Sequence, residues 1–148
     1  MEKLGIFFLI FSGLSSTCYS SDIKIIHVSD GFTWVNKKAV SIYFGESQKN
    51  YCNFTLPKNT IKIGYNLISK KNNNKNISVE CNWNSITYTQ SSKHKTDTAI
   101  EITKIDKDKK LATIVASVNL VDHKNGEYFK IDKTIIKVNP SHFNTLFN

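Results

Sequence analysis

The fold is decided by residues 98–138, which read TAIEITKIDKDKKLATIVASVNLVDHKNGEYFKIDKTIIKV. Polar and apolar residues alternate over 98–105, which is the pattern of a strand with one buried face. The residues at 106–110 are all charged, and a charged run without an apolar residue predicts a turn. The chain is therefore expected to reverse there and continue as a second strand.

The second strand of this region, 111–121, has apolar residues on both faces, so both faces are expected to be largely buried, as in a central strand. Asn125-Gly126 follows it, and this pair supplies the positive φ angles that a tight hairpin requires. The chain then returns over 127–138 as a third strand. Residues 98–138 are therefore predicted to form an antiparallel meander with a central strand.

Upstream of the meander, short apolar segments alternate with polar segments at a spacing of roughly ten residues. The strands predicted there span residues 22–28, 32–35, 39–44, 51–55, 61–67 and 77–88. Residues 29–31 are predicted to end the first strand, and 36–38 to form the turn of a hairpin. Residues 69–76 are predicted to be an exposed hairpin loop, and 84–85 a bulge.

The C-terminal residues have a different periodicity from the rest of the chain. Phe143, Leu146 and Phe147 lie at i, i+3 and i+4, which predicts one helical turn that caps the core. Together, these patterns predict an all-β, single-domain antiparallel β-sandwich or small barrel of about eight strands, with a short C-terminal helical turn.

The N-terminus has the layout of a secretory signal peptide, because a charged start precedes an apolar core over 4–14 that is too short to span a bilayer. A pattern of small residues favours cleavage after Ser20. This divides the chain into a signal peptide, 1–20, and a single β-domain, 21–148. The protein is therefore expected to be exported, either periplasmic or secreted. Lipidation of Cys18 matches less well, because serine and threonine precede it.

Cleavage leaves two cysteines, Cys52 and Cys81, in a chain that is expected to meet an oxidising environment. We predict that they form a disulfide in the core beside Trp83. The alternatives are a thiol nucleophile or a metal pair. Both would require histidines at a recognisable spacing, which the sequence does not contain.

The basic residues are 20 lysines and no arginine, and the net charge is +8. Without guanidinium groups the chain cannot make the planar bidentate contacts that read guanine or clamp phosphate. Specific binding of nucleic acid is therefore not expected. Attraction to anionic surfaces such as lipid headgroups, polyanions or acidic proteins remains, because it requires only charge.

The sequence contains no recognisable catalytic, cofactor or metal motif, so we predict no cofactor. A nucleophile elbow, a zinc motif, a calcium loop and a phosphate-binding glycine loop are all missing. The four histidines, His27, His94, His123 and His142, lie in uninformative contexts. Asp122 and His123 resemble half of an acid–base pair, but adjacent strand residues point to opposite faces.

Two groups of residues are candidates for binding. Lysines cluster in three loops, where they are predicted to form a cationic rim: Lys70, Lys71 and Lys75; Lys93 and Lys95; Lys107, Lys109 and Lys110. Aromatic residues that suit protein interfaces are Trp34, Tyr43, Tyr51 and Tyr128. Asn53-Phe54-Thr55 and Asn76-Ile77-Ser78 are glycosylation sequons, meaningful in a eukaryotic source.

Three functions are compatible with these features. The first is a non-enzymatic exported protein-binding module, such as an inhibitor or immunity-type protein that blocks a toxin, effector or hydrolase through its loops. The second is a cationic binder of lipopolysaccharide, anionic lipid or another polyanion at the cell envelope. The third is an enzyme of unidentified class whose site includes Asp122 and His123. The first is our prediction, and the oligomeric state stays open.

Overall fold

A computed structural model describes residues 23–70 and 76–147. The predicted signal peptide, 1–20, lies outside the described residues. The elements are β1 Lys24–Trp34, β2 Lys37–Gly45, β3 Tyr51–Pro57, a 3-10 turn Lys58–Thr60, β4 Asn66–Lys70, β5 Ser78–Trp83, β6 Ile86–Thr89, β7 Asp97–Asp106, β8 Leu111–Val121, β9 Tyr128–Val138 and α1 Pro140–Phe147.

The strands form one antiparallel sheet that divides into two halves. The first half-sheet has the order β1-β2-β3-β5-β6, and the second contains β4, β7, β8 and β9, with β8 between β7 and β9. A single residue pair, Thr89 with Val121, joins β6 to β8 and links the halves. This architecture confirms the predicted all-β antiparallel fold with a short C-terminal helical segment, and the unclosed sheet matches a sandwich or an open barrel.

Both halves contribute to one hydrophobic core. Within the first half-sheet, the rings of Phe44 and Phe54 stack with centroids 5.2 Å apart. Between the halves, the ring centroids of Trp83 in β5 and Phe129 in β9 are 4.9 Å apart. Such aromatic pairs contribute about 0.5–1.5 kcal/mol beyond their buried area. The core therefore holds the halves together far more than the single backbone pair does.

The predicted meander is present, since β7, β8 and β9 pair in sequence order. One expectation about it is wrong. The residues of β8 that include Ile114 and Val118 are buried, but the opposite face, which includes Val115 and Ser117, is only partly buried. In the described residues no element covers this outer face enough to bury it.

The disulfide between Cys52 and Cys81 is present, as predicted, with both side chains fully buried. The two residues are directly opposite each other in the register of β3 and β5. The 28 residues between them include β4, which leaves this half-sheet to pair with β7. The bond therefore fixes a pairing that chain connectivity alone would not hold.

Two turn predictions in the first half-sheet are wrong. Residues 29–31 do not end β1, because an irregularity between Ser29 and Phe32 absorbs them and the strand continues to Trp34. Asn84 and Ser85 do not form a bulge. Both have positive φ angles and make a two-residue hairpin turn, which divides the predicted strand into β5 and β6.

The region around β4 also differs from the prediction. The segment 61–67 is not a strand, because β4 begins at Asn66 and Ile63 is 60% exposed. Ser69 is fully buried in β4 instead of lying in an exposed loop, and its hydroxyl is 3.3 Å from Gln90 Oε1. The strands on either side of the predicted loop do not pair with each other, since β4 pairs with β7 and β5 pairs with β3, and residues 71–75 of that loop lie outside the described residues.

Helix α1 extends the predicted single turn. It begins after Asn139, whose side chain accepts hydrogen bonds from the His142 amide and the Ser141 hydroxyl. Phe143 and Leu146 are buried, and the helix contacts β1 and β8. Among the described residues, no helix has the length and apolar character needed to cross a membrane.

Loss of the disulfide should lower stability strongly. Cys81→Ser removes the closure of the loop between Cys52 and Cys81, which by the chain-entropy model stabilises by about 3–4 kcal/mol. Urea denaturation measures the free energy of unfolding, and the reduced wild-type protein is the control because it should lose a similar amount. A change below about 0.5 kcal/mol in both would contradict the structural role of the bond.

The turn between β1 and β2 should become more stable when its first residue is changed. Val35 and Asn36 occupy this turn, instead of the predicted 36–38, and Val35 has a φ of 49°. A β-branched side chain is disfavoured there, so Val35→Asn should stabilise by about 1 kcal/mol. Thermal denaturation measures this gain in stability. Ile135→Asn, at an exposed strand position, is the control and should give no gain.

Candidate functional site

The outward-facing side chains of the first half-sheet form a continuous surface. Residues that alternate with the core residues lie on this side of the sheet, and the strand register aligns them in rows; most of them are at least partly exposed, whereas Ser41 and Gly45 are buried. The rows are His27, Tyr43, Asn53, Glu80 and Thr89; Ser29, Ser41, Thr55 and Ser78; and Lys24, Gly45, Tyr51, Asn82 and Thr87. We call this surface the tyrosine face.

Three aromatic rings follow one another across the tyrosine face. The ring centroids of His27 and Tyr43 are 5.8 Å apart, and those of Tyr43 and Tyr51 are also 5.8 Å apart. All three side chains are at least partly exposed. Gly45 pairs with Tyr51, and an added Cβ at Gly45 would overlap the carbonyl oxygen of Asn50. The start of β3 can therefore lie this close to the end of β2 only because residue 45 is glycine.

Beside the aromatic rings, the tyrosine face presents hydroxyl and amide groups. Oγ of the buried Ser41 lies 2.6 Å from Oγ1 of the partly exposed Thr55 across β2 and β3, so this part of the surface is already ordered. Asn53 lies between Tyr43 and Glu80 in the register, and the Thr55 hydroxyl donates to its side chain at 3.5 Å. A glycan at this sequon would cover the centre of the face.

Lysine is nearly missing from the tyrosine face. Of the described residues that make up its three rows, Lys24 at the edge is the one lysine, although the chain has 20. The outer side of the second half-sheet shows the contrast, since Lys104, Lys130, Lys133 and Lys137 are all exposed there. Two solvent-facing sheet surfaces of one protein therefore differ sharply in composition.

The structure separates the predicted aromatic anchors into three places. Tyr43 and Tyr51 come together on the tyrosine face, Trp34 is at the end of β1, and Tyr128 is at the start of β9 near His94. The sequence analysis missed His27 as part of the aromatic row. Its position in an alternating segment was the available signal, but only the register of β1 and β2 aligns it with Tyr43.

The cationic loops lie at two different ends of the second half-sheet. Lys70 at the end of β4 pairs in register with Asp97, next to the turn that contains Lys93 and Lys95. Asn119 holds that turn by donating to the Lys95 carbonyl at 3.1 Å. The second group, Lys107, Lys109 and Lys110, is at the far end of β7, about 30 Å away for a ten-residue strand. Lys71 and Lys75 lie outside the described residues.

Asp122 and His123 do not form an acid–base pair. The Asp122 carboxylate is buried and accepts the Lys124 amide at 2.9 Å, while His123 Nε2 lies 2.9 Å from Thr89 Oγ1. The His123 ring instead neighbours the His94 ring, with centroids 6.1 Å apart. The two side chains therefore have separate partners, and the enzyme hypothesis stays a prediction.

Other chemistry is sparse in the described part of the chain. No cluster of three or more His, Cys, Asp or Glu residues there could hold a metal ion. Burial raises the pKa of the Tyr65 hydroxyl above its ordinary value. Tyr65 packs against the core and does not belong to the tyrosine face.

Comparison with known proteins gives no function to transfer. No protein-family model matches the sequence, and neither a curated protein nor a solved structure shows significant similarity to it. The composition and geometry of the surfaces must therefore support any functional proposal.

The lysines of two neighbouring segments at one end of the second half-sheet should contribute more to polyanion binding than the lysines of the single turn at its other end. Changing Lys70, Lys93 and Lys95 to Gln should lower the salt concentration that elutes the protein from immobilised heparin, and reduce the dependence of affinity on salt. The matched control changes Lys107, Lys109 and Lys110 to Gln, which removes the same charge. Equal effects of the two triple changes would show that only net charge matters.

Proposed function

We propose that this protein is an exported, non-enzymatic module that binds another protein through the tyrosine face. The observation that carries this proposal is the contrast in lysine content between the two outer sheet surfaces. Lysine is depleted in protein interfaces because its ammonium is strongly hydrated and its long side chain is costly to order. A surface nearly without lysine, in a lysine-rich chain, is therefore suited to being covered.

The residues that replace lysine also favour a protein partner. Tyr43 and Tyr51 provide large, rigid contact areas at a low cost in conformational entropy, and their hydroxyl groups can hydrogen-bond. Serine, threonine and asparagine around them provide adaptable donors and acceptors, a combination that antibody paratopes also use. Glu80, near the centre of the face, is the one acidic residue in the three rows of described residues.

The fold supports binding without a large rearrangement. The face is made of strands instead of loops, and the fully buried Cys52–Cys81 bond lies directly beneath it between β3 and β5. A rigid surface loses little entropy when a partner binds, which improves affinity. These properties are those expected of an inhibitor or immunity-type protein that occludes a toxin, effector or hydrolase.

Partner capture tests the proposal. The full-length mature protein, immobilised and exposed to the exported fraction of its source, should retain a discrete partner. The double change of Tyr43 and Tyr51 to Ser should weaken retention at least tenfold, since central tyrosines at interfaces commonly contribute about 2 kcal/mol or more. Tyr128→Ser is the matched control, because Tyr128 is an exposed tyrosine on a different element.

Two results would count against the proposal. One is a partner retained equally by the wild type and the Tyr43/Tyr51 variant. The other is that Tyr128→Ser weakens retention of the partner as much as the Tyr43/Tyr51 double change does, which would place the binding surface at the start of β9.

A further inference from the structure

The β1–β2 hairpin ends in an exposed apolar tip. Phe32 is 36% exposed and Val35 is 52% exposed, and the partly exposed Trp34 lies between them in the chain. Val35 holds a φ of 49°, a conformation that a β-branched residue adopts only at a cost. Asparagine or glycine would fit this turn better, so the valine is not there for the stability of the hairpin.

A cationic cleft of about 500 Å³ adjoins this tip. Lys37 and Lys38, the first residues of β2, line it together with Lys58, while Ile61 and Phe147 provide apolar walls. Lys58 pairs with Asp30 at 2.7 Å, so its charge is partly balanced. Lys37 and Lys38 have no ion pair among the described residues and are exposed.

We propose that the hairpin tip docks on an anionic phospholipid membrane. Phe32, Trp34 and Val35 enter the interfacial layer, and the ammonium groups of Lys37 and Lys38 bind lipid phosphates at the surface. This proposal concerns a different part of the molecule from the tyrosine-face rows and does not depend on the proposed partner protein.

The order of residue types along the hairpin favours a membrane over a soluble partner. Tryptophan prefers the membrane–water interface because its ring is apolar and its N–H is polar. Lysines immediately beside apolar side chains can extend to the headgroups while the apolar groups stay below them. A hairpin places these residue types within a few ångströms of one another, and two unpaired cations complement the negative surface of the bilayer.

The experiment measures binding of the full-length mature protein to vesicles. The wild type should sediment with vesicles that contain phosphatidylglycerol and much less with vesicles of phosphatidylcholine alone. Lipids with brominated chains should quench the fluorescence of Trp34. The buried Trp83 should be unaffected, and Trp34→Phe assigns the signal.

Variants separate insertion from charge. Val35→Asn should weaken vesicle binding about tenfold through the loss of apolar burial, although it should raise the thermal stability of the fold. Changing both Lys37 and Lys38 to Gln should weaken binding about 20- to 30-fold, given the usual contribution of each lysine near an anionic surface. Changing Lys107 and Lys109 to Gln, which removes the same charge from another turn, should have little effect.

Three outcomes would overturn the proposal. The first is unchanged vesicle binding by the Val35→Asn variant, and the second is equal loss from the Lys37/Lys38 and Lys107/Lys109 variants, which would indicate diffuse attraction. The third is the absence of quenching by brominated lipids. Tyr43→Ser should leave vesicle binding intact, so failure here is distinguishable from failure of the proposed protein-binding function.

Discussion

The pairing of β3 with β5 is the constraint on which the rest of the structure depends. These strands are separated in the chain by β4, which belongs to the other half-sheet, so their contact requires closing a long loop. The Cys52–Cys81 disulfide and the core packing of Trp83 hold them together. Without this pair the tyrosine face would be divided at its centre, between Asn53 and Glu80.

The distribution of lysine explains how one small domain can present distinct surfaces. Charges crowd the outer side of the second half-sheet and the turns, where hydration is kept and aggregation at exposed strands is discouraged. The tyrosine face is nearly free of lysine. The hairpin tip combines apolar residues with Lys37 and Lys38. In the two proposals together, the hairpin tip holds the protein at an anionic membrane while the tyrosine face binds a partner.

Much of the fold follows from local patterns, and the failures have physical causes. The alternation over 98–138 predicted three strands, because each strand there pairs with its neighbour in sequence. The turn at Asn84-Ser85 was missed because neither residue is glycine, although both adopt positive φ angles. The segment 61–67 alternates, yet tertiary pairing shifts β4 to Asn66–Lys70. The cysteines were predictable as a pair, but the tyrosine face was not, since its rows depend on the register of five strands.

The claim that the tyrosine face is the partner-binding surface is tested most directly by site-specific photo-crosslinking. A photoreactive phenylalanine analogue is placed in turn at Tyr43, Tyr51 and Asn82, and at Lys133 and Ile135 on the outer side of the second half-sheet. The account predicts one discrete adduct in the exported fraction from the first three positions and none from the other two. Adducts from Lys133 or Ile135, with none from Tyr43 and Tyr51, would contradict it.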